Sequence, residues 1–265
     1  MTGSGSALEA ARSAGRAALV GYLPAGFPTV ATSIDLARAM VDAGVDAIEI
    51  GLPYSDPVMD GPTISAAAQI ALEGGTRIRD VLRVVEAVAD RAPTLVMTYW
   101  NPVERYGVDR FTADLASAGG AGLVTPDLIP EEATDWIGAA DRHDLDKVFL
   151  VAPSSTTERL EMTSAACRGF VYATSVMGVT GARDQTSSAA PRLVARVREL
   201  SGLPVGVGLG VSTRAQAAEV ASFADAVIVG SAFVRCVADA PDPSAAVVAV
   251  GALAHDLAAG VRGEL

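Results

Sequence analysis

The sequence has little with which to hold a metal or a disulfide framework: two cysteines and two histidines in 265 residues. Cys167 and Cys236 lie far apart, without metal-ligand spacing, each in an apolar helical context where a thiol behaves as a small hydrophobe. His143 and His255 fall late in helical stretches, where a surface or helix-dipole role explains them better than catalysis. No Gly-x-Gly-x-x-Gly follows a first strand. Neither a metal nor a nucleotide cofactor is expected in this chain, and the cysteine usage fits a reducing cytoplasm.

Long apolar runs are also lacking. Half the residues are hydrophobic, but glycine, proline or charge breaks every stretch before the run of about twenty that a membrane span needs. Residues 1–16 are small and polar, without the apolar centre of a secretory signal. The formal net charge is -11 and no Lys/Arg cluster stands out, which argues against nucleic acid and anionic membrane as partners. A small anionic ligand stays compatible with this charge, because main-chain N–H groups at a helix N-terminus can hold a phosphate.

What the sequence does contain is alternation. Short β-branched runs at 18–23, 46–50, 94–99, 122–124, 147–151, 169–173, 204–207 and 225–229 are each followed by Ala-rich segments of helical periodicity. The helical stretches are 30–43, 76–92, 111–118, 131–143, 157–166, 190–201, 213–222 and 244–259. Near-continuous apolar strands imply cover on both faces. Eight such units in a chain of this length predict one (β/α)₈ TIM barrel as a single domain, with parallel strands and outer helices. Thr156 and Ser212-Thr213 stand where N-caps are expected, and Gly44 and Gly202 where left-handed C-caps are. The content of 6–14 suggests a short helix plugging the barrel bottom. Two connections, 51–62 and 174–189, exceed a simple βα turn, and loops of that length in a compact domain are usually functional.

In such barrels, chemistry sits at the C-terminal ends of the strands. Glu49 alternates with Ile48 and Ile50, which directs it into the barrel mouth; a strand-end carboxylate paired with lysine or arginine is the competing explanation. Asp60 lies in Met59-Asp60-Gly61-Pro62, where aspartate is also ordinary turn chemistry. Together they gain meaning, since one connection brings two carboxylates to the same mouth, an arrangement that can separate acid and base roles. Glycine turns follow the seventh strand (206–212, GVGLGVS) and the eighth (229–232, VGSA). That is the usual phosphate site of these barrels, with glycine letting amides approach an anion closely. The GVTG of 178–181, in the long connection after strand six, can add an amide and close as a lid.

Residues 49–64, EIGLPYSDPVMDGPTI, closely resemble the signature of tryptophan synthase alpha subunits. PDLIPEE at 126–132, GVTG at 178–181, GLGVS at 208–212 and VGSA at 229–232 follow in that family's order and spacing. The resemblance implies a retro-aldol cleavage of indole-3-glycerol phosphate to indole and glyceraldehyde 3-phosphate. It implies Glu49 as general acid/base and Asp60 as the holder of the indole N–H. Tyr172 is implied as a pocket wall, Thr180 as a lid residue, and Gly181, Gly210, Gly230 and Ser231 as phosphate-binding positions. Tyr22 and Leu209 match places where the family sets an aromatic or large apolar group against indole; this chain departs at both, and also at Phe27 and Trp100. The resemblance further implies a beta subunit carrying pyridoxal phosphate, an alpha2beta2 heterotetramer, and a partner contact near Pro53 and Asp56.

Two other readings compete. Indole-glycerol phosphate synthase and related phosphosugar barrels use catalytic lysines at strand ends, whereas the only lysine in a predicted strand is Lys147, at a strand start. A non-catalytic phosphate-binding regulatory subunit has no need to keep both Glu49 and Asp60.

Overall fold

The computed structural model describes residues 3–174 and 189–264. The strands are β1 (Ala18–Pro24), β2 (Ala47–Gly51), β3 (Thr94–Met97), β4 (Gly122–Thr125), β5 (Asp146–Val151), β6 (Val171–Thr174), β7 (Val205–Gly208) and β8 (Ala226–Val229). They pair in parallel in the order β1 to β8, and β8 returns to β1 to close a barrel. All eight expected strands are present, with ends shifted by a residue or two.

The helices are α1 (Ser4–Ser13), α2 (Val30–Asp42), α3 (Pro62–Glu73), α4 (Ile78–Glu86), α5 (Trp100–Tyr106), α6 (Val108–Ser117), α7 (Thr134–Arg142), α8 (Thr157–Ala166), α9 (Ala189–Leu200), α10 (Arg214–Ala221), α11 (Ser231–Asp239) and α12 (Pro243–Val261). Side-chain oxygens of Thr29, Thr156, Thr213 and Asp242 cap α2, α8, α10 and α12 by accepting amides of the first turn. Gly44 takes the expected positive φ after α2, at 106°. Gly202 does not, so its expected left-handed cap is corrected: α9 ends at Leu200, and the Ser201 hydroxyl accepts the Leu203 N–H at 3.2 Å.

Four elements differ from expectation. The helix expected at 76–92 is shorter, and α3, α5 and α11 stand where the periodicity does not place helices. In α5, Pro102 sits in the first turn, where its missing N–H costs no helical bond. Helix α12 is long and apolar enough, by length and composition, to cross a membrane, the one such helix among the described residues. It packs in the outer ring against α2, α10 and α11, burying Ala246, Val250, Ala254 and Leu257. His255 and Asp256 interrupt its apolar composition, and Asp256 pairs with Arg214 at 2.8 Å.

Side chains alternate along each strand, so one parity fills the barrel and the other meets the helices. Ala18, Val20, Ala47, Leu95, Val124, Val148, Phe170, Ala226 and Ile228 form the interior cluster, and Leu8 and Ala11 of α1 complete it. Small residues at the base (Ala18, Ala47, Ala226) leave room for Leu8, which is 0 % exposed. The start of α1 is fixed by Asp146, whose Oδ2 accepts the Ser4 amide at 2.7 Å and the Ser4 hydroxyl at 2.6 Å. The plug expected from 6–14 is therefore present. A related device recurs around the base: Asp46 accepts the Leu19 N–H and both arms of Arg16, and Asp225 accepts the Val205 N–H and Arg198.

Truncating the plug tests this packing. Leu8→Ala should lower the free energy of unfolding by about 2–5 kcal/mol, as for other buried leucines. Urea denaturation measures it; an unchanged midpoint would show that the base of the barrel does not depend on Leu8.

Candidate active site

Continuing the interior parity upward puts Tyr22, Glu49, Met97, Leu150, Tyr172 and Gly208 in the layers nearest the mouth. The register supports this placement, since Tyr22 pairs with Glu49, Glu49 with Leu95, and Tyr172 with Leu150 and Gly206. Met97, Leu150 and Tyr172 are only partly buried although they point inward. An apolar-walled opening lies there.

Glu49 is 0 % exposed, and neither carboxylate oxygen has a hydrogen-bond partner among the described residues. The competing explanation of a paired strand-end carboxylate is thereby removed. Burial alone pushes its pKa from 4.5 up to about 8. At neutral pH this side chain is mainly the acid.

Asp60 reaches the mouth differently, from the connection between β2 and α3. The Tyr99 hydroxyl fastens this connection, accepting the Met59 N–H at 3.0 Å and hydrogen-bonding the Asp60 carboxylate. Asp60 is also raised above its usual range, by burial, with the Tyr99 bond pulling the other way. Tyr99 is pushed up to about 12, chiefly by burial. It therefore stays a neutral donor.

Tyr22 ties the two carboxyls together. Its hydroxyl is raised well above 10 by burial first, then by the charges of Asp60 and Glu49, so both acids face the same phenol. A Cβ on Gly51 would lie 2.3 Å from this hydroxyl, and one on Gly230 would lie 3.1 Å from the Tyr22 ring. Glycine at both positions is what lets the ring lie across the mouth. Likewise a Cβ on Gly208 would meet the Tyr172 hydroxyl at 2.6 Å, and Tyr172 feels the charge of Glu49.

The glycine turns close the opposite side. Gly208 pairs with Ile228, so Gly210 and Gly230 continue side by side beyond the ends of β7 and β8. Gly210 has φ 69°, a conformation that favours glycine. Ser231, buried, opens α11, whose N-cap Gly230 has no side-chain cap. Leu209 is half-buried and packs on the core. In the β2–α3 connection Pro53 is buried, Asp56 is exposed and Val58 is 71 % exposed. Thr180, Gly181 and the expected lid lie outside the described residues.

Sequence reasoning misses Tyr99, Met97 and Leu150. Alternation counted upward from Leu95 and Val148 finds the last two; nothing local marks Tyr99, which acts through a contact 40 residues away. Lys147 is the single lysine of the sequence. It sits at the base of β5 on the outward parity and pairs with Asp141. No lysine is available for the chemistry of a lysine-dependent indole-glycerol phosphate synthase.

Comparison with known proteins agrees. The family model described as tryptophan synthase alpha chain matches residues 8–262. Tryptophan synthase alpha chains of Acidothermus cellulolyticus and Salinispora arenicola are 64% and 63% identical over 263 residues, covering 99% of this chain and 98% of each relative. Among solved structures, Mycobacterium tuberculosis tryptophan synthase superposes with a TM-score of 0.92 at 56% identity, covering 98% of both chains. The alpha subunit of Legionella pneumophila superposes at 0.86 with 31% identity, covering 99% of this chain and 100% of that one. The chain belongs to the tryptophan synthase alpha chain family, the lyases that cleave indole-3-glycerol phosphate in tryptophan biosynthesis.

Proposed function

We propose that Glu49 and Asp60 carry this cleavage, Glu49 as the acid and then the base, Asp60 as the anion that holds the indole N–H. The observation that carries the reading is the fully buried, unpartnered Glu49 carboxyl at the barrel mouth. Such a group costs stability and returns no structural contact. A regulatory subunit without chemistry has no reason to keep it.

The bond between indole C3 and the glycerol chain cannot break to leave a carbanion on C3. Glu49, protonated, first donates to C3, and positive charge spreads over the ring toward the N–H. Ionised Asp60 stabilises that charge. As the carbon–carbon bond breaks, the 3′-hydroxyl becomes the aldehyde and its proton returns to Glu49, so the enzyme ends in its starting state. Proton transfer of this kind needs no cofactor in this chain. Gly210, Gly230 and Ser231, with Gly181, supply main-chain amides for the phosphate. Tyr22, Tyr172, Thr180 and Leu209 line the substrate, with Met97 and Leu150 completing the apolar wall.

Family membership implies a beta-subunit partner. We place its contact on the β2–α3 connection around Pro53 and Asp56, where exposed Val58 adds apolar surface, in an alpha2beta2 heterotetramer whose pyridoxal phosphate belongs to the beta subunit. A cytoplasmic setting suits its two unpaired thiols.

Glu49→Gln should lower the rate of indole formation by about 10²- to 10⁴-fold while phosphate-ligand binding survives. Near-normal turnover would refute the assignment. Asp60→Asn should cost about 10²- to 10³-fold in kcat, and Tyr99→Phe, which frees the Asp60 loop, about 3- to 10-fold. A stopped assay comparing the three variants ranks these roles.

The kcat/KM profile should be bell-shaped, with an alkaline limb near pH 8 from loss of the Glu49 proton. A profile flat from pH 6 to about 9.5 would contradict it. Stability follows the same group. Folded Glu49 keeps a proton that the unfolded chain loses above its pKa of 4.5, so its contribution falls as pH rises from there to about 8. In Glu49→Gln that decline should disappear from urea-denaturation curves measured across the window.

A further inference from the structure

We propose that the Tyr22 hydroxyl is a hydrogen-bond donor to the glycerol chain of the substrate, and so a determinant of specificity for a hydroxylated side chain on indole C3. The inference rests on the phosphate and acid/base assignments above and adds a group that they leave without work.

The geometry is that of a bridge across the mouth. One edge of the Tyr22 ring lies against Gly230 of the phosphate turn, where a Cβ would come within 3.1 Å. The hydroxyl lies over Gly51, two residues above Glu49 on the interior row of β2, where a Cβ would come within 2.3 Å. A substrate with its phosphate on the Gly210–Gly230 side and its reacting carbons at Glu49 must lay its three-carbon chain across this phenol. Tyr22 is 9 % exposed, and its hydroxyl is not among the buried polar atoms that lack a partner, so it opens toward the mouth, where a bound ligand can reach it. A hydroxyl on the glycerol chain, laid between Gly51 and Gly230, comes within reach of this phenol.

The facing groups restrict what that hydroxyl can do. Burial first, then the charges of Asp60 and Glu49, with smaller effects of Tyr99 and Tyr172, keep it a neutral phenol. It is a donor throughout the working pH range. A donor to the 3′-oxygen also eases loss of the 3′-proton to Glu49, whereas phenylalanine at this position packs the same ring and donates nothing.

The test compares Tyr22→Phe with the unaltered chain on two ligands: indole-3-glycerol phosphate, and 3-(indol-3-yl)propyl phosphate, which keeps ring and phosphate but lacks both hydroxyls. Loss of one hydrogen bond predicts roughly a 3- to 10-fold lower kcat/KM for the substrate in Tyr22→Phe. The dissociation constant for the propyl phosphate, measured by calorimetry, should stay unchanged, which also reports that the variant is folded. Equal losses for both ligands would make Tyr22 a packing residue and overturn the proposal, as would no loss for either. If the unaltered chain bound neither ligand, the phosphate and acid/base assignments would fall as well, an outcome separate from failure of the Tyr22 role alone.

Discussion

A carboxylic acid held in an apolar wall without a partner is the constraint around which this barrel is organised. Glu49 occupies the interior row of β2 above Ala47, and no cation or amide among the described residues reaches it. In such surroundings the charged form is disfavoured, so the side chain holds its proton near neutral pH. An acid of that kind is useful where an apolar ring must be protonated at carbon. The barrel meets its cost elsewhere, with Leu8 and the interior cluster below it and a complete ring of helices outside.

The second carboxyl is kept different by being placed differently. Asp60 comes from a connection rather than a strand and accepts a hydrogen bond from Tyr99. Its burial and that bond act in opposite directions, whereas nothing offsets the burial of Glu49. Two acids facing one phenol are thus given unlike proton affinities, the condition for one to act as acid while the other stays ionised. Tyr22 spans from this pair to the phosphate turn, and the glycines at 51 and 230 make room for it.

Much of this architecture is legible in the order of the residues alone. Strands covered on both faces announce themselves as apolar runs, and the parity of Glu49 against Ile48 and Ile50 directs it inside the barrel. Helix α3 escapes such a reading because its sequence, PTISAAAQIALE, is small and apolar around much of its circumference, with no sharp polar face. Helix α5 escapes it because Pro102 reads as a breaker, although in the first turn proline is compatible with a helix. Tyr99 carries no local mark of a site residue, because its role is fixed by a contact across the fold. The resemblance to a known family supplies residue roles that periodicity cannot, and the burial and lack of partners at Glu49 give those roles a physical basis.

The most direct measurement is a titration of Glu49 itself. Carbon-13 NMR of the folded chain labelled at the glutamate side-chain carboxyl, with Glu49→Gln to assign the signal, reads its protonation without reference to turnover. The account predicts a midpoint near 8, far from the ordinary 4.5. A midpoint at or below 4.5 would contradict it, because the side chain would then be an ordinary carboxylate with no proton to give to indole.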